Sequence, residues 1–227
     1  MKLLELAEFL RRQGYDFIAI TEHSYDVDQK SIDGLVEESK RLSSDNFIII
    51  PGIEYRCVHD IDILGYGSTI TCDSEDPVKV IEHIQSHGGV AVWAHPTIRN
   101  YPVDDNWIKK LDGYEIWNNG NDGKFLPQIR PLRMYQKYRD LSPNLKAFCG
   151  LDLHRKVNFR YISTIVTAST NDPAAILKAL REGAFTTESR FFDVDSLASI
   201  GQFKKGWIYS ARSILNVVRN VRNMLSG

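Results

Sequence analysis

Cysteine is scarce in this chain, and the three present, Cys57, Cys72 and Cys149, are scattered, odd in number and form no Cys-x-x-Cys pair. That usage argues against a disulfide framework and fits a reducing, cytoplasmic compartment. No apolar run approaches the roughly 20 residues that span a bilayer. An excess of charge of one sign is lacking too. The 28 Lys and Arg face 29 Asp and Glu, so no global field advertises a nucleic-acid or anionic-membrane partner. The opening MKLLELAEFLRRQG is interrupted by Glu5, Glu8, Arg11 and Arg12, and no small-residue cleavage site follows it. It reads as an amphipathic helix stopped at Gly14, not as a signal peptide.

What is present is a set of short apolar runs rich in β-branched and aromatic residues, at 17–20, 47–50, 61–66, 90–93, 114–117, 147–149 and 161–166. Each is a strand candidate. Helix-length segments lie between most of them, at about 31–43, 77–87, 127–141 and 173–182, the last entered through Asn171-Asp-Pro. Alternation at this spacing predicts parallel βα units, and 227 residues suffice for one large α/β domain.

The residues that follow the runs carry the chemistry. FIAI runs into Thr21-Glu22-His23, FIII into Pro51-Gly52-Ile53-Glu54, and VAVW into Ala94-His95-Pro96. YEIW is followed by Asn118 and Asn119, and AFC by Gly150-Leu151-Asp152-Leu153-His154. Parallel βα folds gather strand C-termini on one face, so these acids, imidazoles and amides are predicted to share a rim. Helix capping alone would call for Ser, Thr and Asp there, not three histidines. Converging in space, His23, Glu54, His95, Asp152 and His154 make a thiolate-free nitrogen and oxygen set suited to Zn, Mn or Fe, with coordination positions left for water.

In this order, GYDFIAITEHS, PGIEY, DILGYG, GGVAVWAHP and GLDLH resemble the successive motifs of the PHP family, named for polymerase and histidinol phosphatase. The likeness runs from residue 1 to about 190 and includes STIVTASTNDPAAILKALREGAF. It implies a distorted (β/α)7, TIM-like barrel in residues 1–200 holding one to three divalent metal ions at the strand C-termini. It further implies hydrolysis of a phosphate ester: a nucleotide, an oligonucleotide or a small phosphorylated metabolite. Carried over by position, His23 and His154 would share one metal, Glu54 would bridge two others, His95 would bind one of these and Asp152 the other.

Departures accompany the matches. The family opens with a strand ending in His-x-His, and no His-x-His occurs in this sequence, so the first strand is expected to be missing or atypical. Asp62 stands where the pattern before Ile-Leu-Gly-Tyr usually has His, and an aspartate there still suits a hard cation. These departures leave open a start upstream of Met1, completion by an added segment or partner strand, and a degenerate, non-catalytic relative with a binding or scaffolding role.

Arg99 and Arg155 follow ligand motifs and suit a bidentate grip on a substrate phosphate, with surface solvation as the competing role. Asn118 at the rim divides between turn formation and substrate contact. His83 and His87, four apart, sit where a helix ends, a position favourable to partial positive charge. Residues 201–227 carry five Lys or Arg and no acid, with apolar Ile208, Ala211, Leu215, Val218, Val221 and Leu225 at helical spacing. A basic amphipathic helix is predicted there, packed on the barrel or making a weak partner or membrane-surface contact.

Overall fold

The computed structural model describes residues 1–122, 126–190, 192–198, 206–208 and 210–212. Helix α1 (Leu3–Arg12) leads through Gly14, whose φ of 87° makes the helix stop, into β1 (Phe17–His23). Then come α2 (Gln29–Leu42), β2 (Ile48–Cys57), β3 (Ile61–Tyr66), α3 (Pro77–Ser86), β4 (Val90–Trp93), α4 (Asp105–Ile108), β5 (Gly113–Asn118), α5 (Ile129–Leu141) and β6 (Lys146–Gly150). The described chain continues with β7 (Ile162–Val166), α6 (Pro173–Glu182), β8 (Phe185–Ser189) and β9 (Asp193–Asp195). Helix starts carry their caps. Asp28, Asp76 and Asp172 accept hydrogen bonds from the first-turn amides of α2, α3 and α6.

Strands β1 to β6 hydrogen-bond in sequence order as one six-stranded sheet that curls into half a barrel, and β7 to β9 form a separate three-stranded antiparallel sheet. The expectation of parallel βα units is corrected at two of the expected strands: β7 pairs antiparallel with β8 in the separate sheet, and β3 is antiparallel to both β2 and β4. For β3 the reason is length. Only a 3-10 turn, Val58–Asp60, joins β2 to β3, and a parallel crossover needs a dozen or more residues. Since β1, β2, β4, β5 and β6 all run the same way, their C-terminal ends meet on one rim. Reversed β3 brings its N-terminal end, with Asp62, to that same rim.

Side-chain alternation separates the two faces of the sheet. Ile53, Tyr55, Ile63, Trp93 and Tyr114 belong to one apolar layer together with Ile81 and Ile84 of α3 and Tyr135 of α5. Ile48, Ile50, Leu64, Val92 and Phe148 point into the concave side, where Ile176 and Leu180 of α6 plug its base. Along the β1 edge, Ala7 and Leu10 of α1 pack on Ile18, Phe47 and Ile49, and the Tyr15 hydroxyl donates to the carbonyl of Ile162 at 2.6 Å. No described helix is long and apolar enough to cross a membrane. Most of the expected C-terminal helix lies outside the described residues. Of the described part, Ile208 is buried and Arg212 donates to the carbonyls of Asp122, Leu126 and Pro127.

Candidate metal centre

Strand parity dictates what the concave face shows at each level. On β2 it presents Ile48 and Ile50 deep in the barrel, then Gly52, Glu54 and Arg56 towards the rim. On β3, running the other way, Asp62 is at the rim and Leu64 below it. An apolar floor therefore grades into a charged mouth. A cavity of about 390 Å³ follows this gradient upward from Leu64 and Phe148, and a second of about 210 Å³ lies at the mouth. His23, Glu54, His95, Asp152 and His154 line both, while Asp62 and Arg99 line the mouth.

Register sets the neighbours. His23, the last residue of β1, is the direct partner of Glu54, and its Nε2 is 3.7 Å from Glu54 Oε2. Beyond the end of β4, the Ala94 amide donates to the carbonyl of Asp62 at 3.0 Å, which seats His95 against β3. His95 Nε2 then lies 3.2 Å from Glu54 Oε1 and 3.7 Å from Asp62 Oδ2. One ligand atom from each of Glu54, Asp62 and His95 lies within 4.8 Å of the other two. Across the mouth, His154 Nδ1 is 3.2 Å from Asp152 Oδ1, Asn121 Nδ2 donates to Asp152 Oδ2 at 3.2 Å, and the His154 ring stacks on His23 at 5.8 Å between centroids.

The backbone is held in uncommon conformations at the same place. His95 and Asp152 have φ of 29° and 46°, and Asp60, another mouth residue, has 57°. For non-glycine residues this left-handed region costs energy and gathers at functional sites.

Electrostatics around His95 are unusual. Burial alone pushes its imidazole down, but the hydrogen bond to Glu54 and the charges of Glu115, Glu54 and Asp62 outweigh that and lift its pKa to about 9. Beneath it, Glu115 is only 2% exposed, accepts from the His95 amide at 2.7 Å and from Asn118 Nδ2 at 3.1 Å, and is raised by burial to about 7. Burial likewise raises Asp62, against the pull of an Arg56 hydrogen bond. Buried Nδ1 of His95 has no hydrogen-bond partner among the described residues.

Two carboxylates and an imidazole at a cavity mouth, Asp62 buried and Glu54 and His95 half-buried, are a hard-to-borderline donor set that fits a divalent cation. Such a cation would offset the two closely spaced negative charges of Glu54 and Asp62. His23, Asp152 and His154 share the mouth with this trio without belonging to its compact ligand group. Of the suggested substrate contacts, Arg99 lines the mouth and pairs with Asp60. Asn118 is buried, its amide engaged by Glu115 and its Oδ1 by Asn121. Arg155 is exposed at the start of the 3-10 turn Lys156–Asn158 and lines neither cavity.

Sequence reading passed over Arg56, Glu115 and Asp60. Two of them carried a faint signal. Arg56 shares strand parity with Glu54, and Glu115 is an acid set inside an apolar run.

No family model matches the chain, and no curated protein matches it. Among solved structures, PsfC from Pseudomonas syringae superposes with a TM-score of 0.56 at 14% identity over 81% of each chain. A two-domain protein from Bacteroides vulgatus, described as containing a predicted PHP-like metal-dependent phosphoesterase, superposes with a TM-score of 0.54 at 18% identity. That match covers 78% of this chain and 56% of the Bacteroides protein, so the chain spans little more than half of that relative's length. At these identities the likeness is one of fold.

Proposed function

We propose that the chain is a divalent-metal-dependent phosphoesterase of PHP type, acting on a small-molecule or nucleotide phosphate ester. The observation that carries this reading is the compact trio of Glu54, Asp62 and His95 at the mouth of a cavity, on a fold shared with a protein described in those terms. Glu54, Asp62 and His95 would hold the cation, with His23, Asp152 and His154 available to a further one. Such a cation supplies Lewis acidity towards a phosphoryl oxygen and makes water a stronger acid.

The chain's own residues do the rest. Glu115 accepts from the His95 amide and keeps that residue in its left-handed backbone conformation. With a single cation held by the trio, Asp152 Oδ1 facing Nδ1 of His154 leaves Nε2 of that ring as the atom to exchange a proton with the leaving oxygen. Arg99, at the edge of the mouth, offers its guanidinium to the anionic group of the substrate.

The test is hydrolysis of p-nitrophenyl phosphate and its bis ester by purified protein with added Mn2+. Metal-dependent turnover is expected, and His95→Ala should lower kcat/KM by about a hundredfold or more. A folded protein that binds no metal and stays inert in Mn2+ would instead support a non-catalytic binding role for the same fold.

A further inference from the structure

Asp62 enters the trio with only one of its oxygens free. Arg56 is its direct partner across the β2–β3 pair, and the Nε of Arg56 donates to Asp62 Oδ1. Oδ2 alone is turned to His95. The guanidinium that occupies Oδ1 is itself held by two further contacts, and its backbone by a third. It lies over the Tyr25 ring at 4.8 Å, its Nη1 is 3.5 Å from Asp60 Oδ1, and the Arg56 amide donates to Ser24 Oγ at 3.0 Å. Strand register places the pair side by side, and the hydrogen bond takes up lone-pair capacity of Oδ1, so a cation held by both oxygens of Asp62 competes with Arg56 for Oδ1.

We propose that Arg56 determines which cation the centre accepts, by restricting Asp62 to one-oxygen coordination. This rests on the metal-site reading above and goes beyond it in naming a selectivity residue. A large cation such as Ca2+ takes six to eight oxygens and commonly uses both oxygens of a carboxylate. A smaller cation that accepts nitrogen, such as Mn2+, is served by single oxygens and an imidazole. With Oδ1 occupied, the trio presents one donor atom per residue and favours the smaller ion. Freeing Oδ1 adds a donor and favours the larger. The positive charge of Arg56 repels both divalent ions alike, so its removal cancels in the ratio of their affinities.

The experiment measures Mn2+ binding to the full chain by electron paramagnetic resonance and its displacement by Ca2+, for the wild type, Arg56→Met and Tyr25→Leu. The expected result is that Arg56→Met improves Ca2+ affinity relative to Mn2+ about tenfold, the range over which groups supporting a metal ligand act. Tyr25→Leu, at an exposed ring, should shift the ratio about threefold in the same direction and reports even where the first variant fails to fold. Wild-type Mn2+ binding with a ratio unchanged in both variants overturns the selectivity role and leaves the metal centre standing. Absence of binding by either ion in all three proteins overturns the metal centre, and the role of Arg56 falls with it.

Discussion

His95 and Glu115 are residues whose protonation the fold alters in the same direction, and this sets a pH dependence. From about 4.5 to about 7, folded Glu115 retains a proton that the unfolded chain has released. Folded His95 does the same from about 6.5 to about 9. The native state thus binds more protons across this whole window, and the metal-free protein should lose stability steadily as pH rises from about 5 to about 9. Urea midpoints at pH 6, 7.5 and 9 should fall in that order, and Glu115→Gln should flatten the portion below pH 7. At this scale the histidines and acids that follow strands were legible, because a costly polar residue after an apolar run stands out. Glu115 and Arg56 were not, since both lie inside strands and act by what their cross-strand or loop neighbours present.

Elements were legible where period and punctuation agreed. Helix α6 occupies the predicted 173–182 because Asp172 caps it, Pro173 starts it and Gly183, at φ 80°, ends it. Asp172→Ala should lower the urea midpoint of unfolding through loss of the Ala175 amide's acceptor. The direction of β3 was not legible because alternation reports which residues share a face, not which way a strand points. Only the short Val58–Asp60 connection decides that. A related constraint sits in Pro-Gly-Ile-Glu: a Cβ on Gly52 would run into the carbonyl oxygen of Gly65 on the paired strand. Gly52→Ala should therefore destabilise by about 1–3 kcal/mol and misplace Glu54, seen as weaker Mn2+ binding as well as a lower urea midpoint.

In the molecule as a whole, the curled sheet joins an apolar base to a charged mouth, so an ion held there is linked to the stability of the fold. Saturating Mn2+ at about 100 times its dissociation constant should stabilise the protein by about 2.7 kcal/mol, read as a rise in melting temperature. Glu54→Gln and His95→Ala should abolish that rise. Sequence alone determined the elements and the acids and imidazoles that end them, because burial periodicity and capping are local physics carried by neighbouring residues. Tertiary structure decided which of these meet. The closeness of Glu54, Asp62 and His95, the capture of Asp62 by Arg56 and the burial of Glu115 depend on strand order, direction and register. Those are set by hydrogen bonds between distant segments and leave no periodic trace in the chain.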